Sequence, residues 1–383
     1  MSAGDAHVCA LDADGHGVCW GPSLAAGGVI VTGPRFTSIT AGIDIACPER
    51  GECAEPPAMH ACAIAIDARA WCWGDNRFGQ LGDGTTIDRR EPVAVAGALR
   101  FESIRAGRGY TCGIADATAW CWGYNGKANL GIGGARGAYP RPQLVARRAR
   151  AVEAAADFAC ALDSDGLAYC WGEDYHGRLG SDAATGGGTT PLPVPVNGVA
   201  RYIALSARGN HTCGITAAGT AWCWGSNVDG QLGADPAQVR ARRDPGDSGT
   251  PPLLAITAGH GGHTCGVARD ARAWCWGRNN DGELGTGTSS AMSCFADPCI
   301  PRPTPVAGDL RFRSLSAGDA FTCGVTVAGE LLCWGRLSWT HARVPTPVRF
   351  RPIRAQRDAS RDDARIDHAS LRSIHHNPNV REK

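Results

Sequence analysis

Two cysteines about ten residues apart, with Trp-Gly directly after the second, recur along this chain and constrain its fold more than any other feature. The clearest copy runs from Asn210 to Gly233, NHTCGITAAGTAWCWGSNVDGQLG, and the unit recurs with drift seven times in 383 residues. In the first copy, Cys9-Ala-Leu-Asp-Ala-Asp-Gly-His-Gly-Val-Cys19, a three-residue loop at Ala13, Asp14 and Gly15 sets residue 12 against 16 and Cys9 against Cys19. Gly15 then takes the left-handed position that such a loop needs. Cross-strand neighbours lie about 4.5–5.5 Å apart, within the span of a disulfide.

The same spacing returns at Cys62 and Cys72, Cys160 and Cys170, Cys213 and Cys223, Cys265 and Cys275, and Cys323 and Cys333. Cys112 and Cys121 are nine apart, and a two-residue loop at Asp116-Ala117 puts them opposite each other again. A deletion that keeps the cysteines in register favours a bond across each hairpin over separately buried thiols. Zinc is the competing reading, but it needs four convergent ligands and each hairpin offers two. Each closure stabilises by at most about 2.8 kcal/mol in the chain-entropy picture.

Hydrophobic residues make up 43% of the chain, enough for a core, and 52 glycines with 23 prolines suit short strands joined by turns. Net charge is +1 with no sustained basic run, so a nucleic-acid footprint is not expected. No stretch is apolar for long enough to span a membrane. Eighteen cysteines, fourteen of them in the hairpins, point to an oxidising compartment. Met1 is followed by Ser-Ala-Gly-Asp without an apolar segment. The expectation is an extracellular or cell-envelope protein whose signal segment is absent from this chain, with reduced thiols in a cytoplasm as the alternative.

Each repeat opens with a strand ending near Ala-Gly, as in Phe101 to Gly107, then the cysteine hairpin, a Gly-Gln-Leu-Gly loop, and a Pro-Val strand such as Pro92 to Val95. Four local strands per repeat describe a propeller blade. The expected fold is therefore all-β, a seven-bladed propeller of four-stranded antiparallel blades over residues 1–355. The chain begins at Ala3-Gly4, already at the first hairpin, and its repeats end with the strand-like Pro347 to Ile353. Pairing of Phe350–Ile353 with the first blade is expected to close the ring and remove its sheet edge. Residues 356–383, with six basic and five acidic residues, read as a disordered tail, or as a frayed helix around Asp358 to Ile374. Two insertions carry further cysteines, Cys47 and Cys53 in one, Cys294 and Cys299 in the other. Both are expected as small loop disulfides; the second is alternatively half a zinc site.

These residues resemble the regulator of chromosome condensation family. Its repeat is matched most cleanly by Ala258-Gly259 to Cys265, by Trp73-Gly-Asp-Asn-Arg-Phe-Gly-Gln-Leu-Gly82 and by Pro303-Thr-Pro-Val306. The resemblance covers residues 3 to 354 and implies a seven-bladed propeller. The family's founding eukaryotic member is a nucleotide-exchange factor for the small GTPase Ran that docks on chromatin. This chain has no basic N-terminal tail, and no exchange residue can be carried over. The paired cysteines look more like bacterial relatives, among them a secreted β-lactamase inhibitor.

A ring of His7, His60, His211 and His263 is replaced by Tyr110, Phe158 and Phe321 in other repeats, so the position asks for a planar side chain. Trp71, Trp120, Trp222 and Trp274 share a strand face with the next Trp and are expected between blades. Asn76, Asn125, Asn227 and Asn279 are expected to bond the backbone of their own turn. No catalytic constellation, metal set or cofactor motif stands out. The leading expectation is a monomeric, non-catalytic scaffold for a protein partner, with no nucleic-acid partner and no membrane span. A GTPase exchange factor and a hydrolase with a loop-built site are the alternatives. Recognition is expected where the loops vary on a fixed frame: Phe78, Tyr124, Tyr175, Val228 and Asn280, with Trp339 in the degenerate last loop.

Overall fold

In a computed structural model of the chain, each repeat folds into one antiparallel sheet whose first three strands follow chain order, with the fourth beside the third. The structure describes residues 1–347 apart from 6, 22–28, 43–58, 185–187, 289–291, 296 and 338–339. Blade 3 is representative, with strands Phe101–Ala106, Tyr110–Ala115, Thr118–Tyr124 and Ala138–Arg147 from the inside out. Seven such sheets form an all-β, seven-bladed propeller, and no helix occurs among the described residues. The inner strands of the other blades are Ser2–Ala3, Phe36–Ala41, Ala149–Ala154, Tyr202–Arg208, Leu253–Ala258 and Phe312–Ala317. Blade 6 adds a fifth, outermost strand, Met292–Cys294.

The hairpin register follows from its turns. Cys9 faces Cys19 and Leu11 faces Gly17, while the Asp12 amide donates to the His16 carbonyl over 3.0 Å. Gly15 has φ of 82°. In blade 3 the two-residue turn holds both Asp116 and Ala117 at φ 50°, the type I′ geometry, and Cys112 faces Cys121 as the spacing required. Cys62 likewise faces Cys72 in blade 2, Cys160 faces Cys170 in blade 4, and Cys213 faces Cys223 in blade 5. Cys265 faces Cys275 in blade 6, and Cys323 faces Cys333 in blade 7.

All seven hairpin pairs have their sulfurs at bonding distance, as does Cys294 with Cys299. In the hairpins the Cα atoms are close, 4.1 Å between Cys9 and Cys19, between Cys160 and Cys170, and between Cys213 and Cys223. Such separations belong to the nearer of the two antiparallel pair types. Cys47 and Cys53 lie outside the described residues.

Strand alternation then builds the interior. On each third strand the Trp residues face one side and the Cys the other, so the cysteine pair of one blade meets the tryptophan of the next. Cys62 and Cys72 cluster with Trp122 and Trp120, Cys112 and Cys121 with Trp171, and Cys160 and Cys170 with Trp224. Cys213 and Cys223 meet Trp276, and Cys265 and Cys275 meet Trp334. A fully buried Trp is worth at most about 4–6 kcal/mol in transfer terms, more than one hairpin closure. Stability is thus concentrated between blades.

The same contact closes the circle. Cys323 and Cys333 of blade 7 pack with Ala3, Val8 and Trp20 of blade 1. The Ala3 amide donates to Ser316 Oγ over 2.9 Å, as Ala258 does to Ser206 and Ala106 to Thr40 at other junctions. Ser2–Ala3 pairs with Val8 and Cys9, giving blade 1 a short inner strand that the repeat pattern alone does not mark. The expected closing strand Phe350–Ile353 and the tail lie outside the described residues.

Candidate functional site

Antiparallel alternation sends two sets of loops to one end of the ring. The loops after the inner strands and the Gly-Gln-Leu-Gly loops after the third strands lie together there. The frame beneath them is a repeated set of hydrogen bonds. The Gln80 carbonyl accepts from Thr111 Oγ1 (2.8 Å) and Trp122 Nε1 (2.9 Å) of the next blade. Gln231 serves Thr264 and Trp276 in the same way, and Glu283 serves Thr322 and Trp334. Within each loop the asparagine holds the turn: Asn76 Oδ1 accepts the Leu81 amide, and Asn125, Asn227 and Asn279 accept from Leu130, Leu232 and Leu284.

The planar side chains before each cysteine are part of this frame. Where the loop keeps Ala-Gly, the ring lies against the glycine so closely that a Cβ at Gly107 would sit 2.4 Å from Tyr110, and at Gly259 equally close to His263. His60, His211 and His263 reach the threonine hydroxyl of the next blade over 3.0, 2.8 and 3.0 Å. Because those hydroxyls donate onward to carbonyls, the histidines donate through Nε2 and are neutral. Burial pushes all three down to about 3. They bridge blades singly and do not converge as metal ligands.

At the ring's axis the inner loops meet, each contributing a different residue. His260 of blade 6 holds Asp5 of blade 1 through Nδ1 (2.9 Å), and its Nε2 accepts from Arg108 of blade 3 (3.2 Å). Arginine has no acceptor, so His260 carries its proton on Nδ1. Arg108 also pairs with Asp157 of blade 4 over 3.4 Å. Arg208 of blade 5 crosses to the carbonyls of Ala41 and Ala317 in blades 2 and 7. These two sets of contacts, blades 1, 3, 4 and 6 in one and blades 2, 5 and 7 in the other, together reach all seven blades. Burial raises the Asp5 carboxyl, but the hydrogen bond from His260 and the charges of Arg208 and Arg108 outweigh it and hold the group below its ordinary value. Asp5 Oδ1 and Arg108 Nε remain buried without a partner among the described residues.

The rim of this face follows a pairing rule. The last variable residue of one Gly-Gln-Leu-Gly loop faces the residue after Trp-Gly in the next blade. Phe78 packs on Tyr124 with ring centroids 4.9 Å apart, Lys127 binds Glu173 over 2.7 Å, and Asp281 lies 3.7 Å from Arg336. Asp229 occupies the same place before Arg278; burial raises its carboxyl to about 6, against the pull of Arg278. Glu173 is shared with Arg178 over 2.7 Å, and Lys127 and Arg178 hold its carboxyl below the usual range despite burial.

Of the four aromatic residues expected in the recognition patch, Phe78 and Tyr124 are half-buried against each other. Tyr175 is 53% exposed and stands edge-on to His176, 4.1 Å between centroids. Trp339 lies outside the described residues. The axial residues were not legible as a group, since the place after Ala-Gly reads Asp5, Arg108 and His260 in different repeats, and Arg208 stands where those repeats have the glycine. Among the described residues, the acidic and histidine groups close enough to share a metal are Asp12, Asp14 and His16, at the other end. There Asp12 Oδ1 accepts the Asp14 and His16 amides, which explains the cluster as a turn.

Comparison with known proteins fits this geometry. A family model of the regulator of chromosome condensation (RCC1) repeat matches residues 67–114 and 270–325, and a second model of that repeat matches 150–178, 203–231 and 254–283. The chain is 27% identical over 165 residues to the mitochondrial RCC1 domain-containing protein RUG3 of Arabidopsis thaliana, covering 38% of this chain and 34% of that protein. It is 27% identical over 145 residues to the ultraviolet-B receptor UVR8 of the same plant, covering 36% of this chain and 30% of the receptor. The matched segments thus span about a third of these relatives. Among solved structures, yeast RCC1 (Prp20) bound to Kap60 superposes with a TM-score of 0.67 at 20% identity, covering 76% of this chain and 73% of that one. Human WBSCR16 gives 0.68 at 18% identity, covering 84% of each chain. No helix among the described residues is long and apolar enough to cross a membrane.

Proposed function

Because this chain is a propeller of regulator of chromosome condensation repeats, we propose that it is a non-catalytic scaffold that binds a protein partner on the face carrying the Gly-Gln-Leu-Gly loops. One observation carries the reading. The frame of that face uses its polar atoms between blades, whereas the outward tier differs at every blade and leaves Tyr175 standing 53% exposed. A rigid frame with a variable outer tier is a surface on which recognition is built with little loss of entropy. The charges of this face are largely paired with one another, which favours a protein over a polyanion as partner. Solved relatives support a binding role: yeast RCC1 was seen bound to Kap60, and Prp20p was studied for binding to Gsp1p and histones. The eight cysteine pairs among the described residues support export to an oxidising compartment.

The test is capture of partners from extracts of the native host. Tyr175→Ala is expected to weaken the captured partner at least about 10-fold at unchanged melting temperature. Phe78→Ala and Tyr124→Ala, which break the pair between blades, are expected to lower the melting temperature as well. If all three variants keep the same partners at the same affinity, this face is not the recognition surface.

A further inference from the structure

The opposite end of the ring carries a second ordered set of side chains. In blades 2 to 7 the inner strand starts with a register shift that leaves its second residue unpaired. A bulge of this kind throws one side chain out of the ladder and re-aims it. The six residues are Thr37, Glu102, Arg150, Ile203, Leu254 and Arg313, and all are exposed. They lie where the inner strands begin, away from the Gly-Gln-Leu-Gly loops.

Their chemistry is not evenly spread. Blades 5 and 6, whose inner strands pack on each other, place Ile203 and Leu254 there, 48% and 59% exposed. Val199, on the loop entering blade 5, adds an apolar side chain that is 90% exposed. Arg150 and Arg313 flank this group on blades 4 and 7, and Arg201 lies within it. None of the three guanidinium groups has a carboxylate partner among the described residues. Arg150 donates to the carbonyls of Asp163 (3.1 Å), Ile203 (3.4 Å) and Tyr202, and Arg313 to that of Val327 (3.3 Å). The nearby Asp163 carboxylate is engaged with the amides of Asp165 and Leu167. Glu102, the acid among the six, lies on blade 3, outside this arc.

We propose that this arc is a second docking surface, for a protein segment that alternates apolar and acidic residues. Such a segment covers Val199, Ile203 and Leu254 with its apolar side chains and supplies the carboxylates that Arg150, Arg201 and Arg313 lack. The site is separate from the face bearing Tyr175.

The probe is a short fluorescein-labelled peptide alternating Leu or Phe with Glu or Asp, followed by anisotropy on the full chain. Control peptides carry Lys in place of the acids, or Ser in place of the apolar residues; vesicles of phosphatidylglycerol form a third arm. The acidic apolar peptide is expected to bind saturably and to weaken as salt rises. Leu254→Ser, Ile203→Ser and Arg150→Gln are each expected to weaken it at least about 10-fold with melting unchanged, while Tyr175→Ala leaves it unaltered. The proposal is overturned if the peptide does not saturate, if the three folded variants bind it as the parent does, or if the lysine peptide or the vesicles bind as well.

Discussion

Ala68 and Ala271 sit at φ 65° in the hairpin turns of blades 2 and 6, where Gly15, Gly166, Gly219 and Gly329 serve other blades. Holding an L-residue in that region costs about 1–2 kcal/mol, and glycine loses part of the relief to its freer unfolded chain. Ala68→Gly and Ala271→Gly are therefore expected to stabilise the ring by about 0.5 kcal/mol each in urea unfolding. No gain at either site would mean that the turn relaxes its strain elsewhere. These positions were readable from the spacing of the flanking cysteines, since a three-residue loop requires one left-handed residue whatever its identity. Tyr175, Phe78 and Tyr124 show the other limit. All three vary alike in sequence, yet two of them satisfy each other across a blade junction and only Tyr175 faces outward.

At the scale of the blade junction, one histidine, one threonine, one indole and one carbonyl act together. Thr264 Oγ1 donates to the Gln231 carbonyl and accepts from His211. Thr264→Val keeps the shape but leaves the buried histidine N–H unpaired, so a loss of about 2–3 kcal/mol is expected by denaturant unfolding. The histidines also make the junctions sensitive to acid. Their folded values near 3 lie below the unfolded value of 6.5, so the unfolded chain binds protons first. The stability they hold is complete above pH 6.5 and is lost as pH falls from there toward 3. At pH 5 each of the three costs about 2 kcal/mol relative to neutral pH. His211→Phe, which copies the side chain at Phe158 and Phe321, is expected to remove one histidine's share of this slope. An unchanged difference in denaturation midpoint between pH 7.5 and pH 5 would show that His211 is not neutral and buried in solution.

For the molecule as a whole, the blade 7 to blade 1 seam decides whether the ring unfolds as a unit. Phe321 is buried in that seam beside Ala3 and Val8. Phe321→Ala is expected to cost about 3–5 kcal/mol and to shift a single transition, with amide exchange rising in distant blade 4 as well. Exchange confined to blades 1 and 7 would mean that the seam frays on its own. Non-reducing peptide mapping of protein from its native host is expected to recover the seven hairpin links, among them Cys9 to Cys19, Cys160 to Cys170 and Cys213 to Cys223. Free thiols at most of these positions would sink the proposal of export.

The sequence by itself determined whatever depends on contacts within a repeat or between repeats of fixed offset. The hairpin register, the cysteine pairs, the turn-holding asparagines and the Trp face all follow from turn length and strand alternation, and seven copies supply the same answer. Tertiary structure alone decided what happens where repeats meet with unlike residues. Asp5 reaches His260 across 255 positions of chain, and Arg208 reaches the carbonyls of Ala41 and Ala317. Nothing periodic marks these partners, because the inner loops differ from repeat to repeat and meet across blades that are far apart in the chain. The bulge residues are likewise silent in sequence, since Thr37, Glu102, Arg150, Ile203, Leu254 and Arg313 share no chemistry. What they share is a backbone irregularity, and only the pairing of the inner strand with its neighbour reveals it.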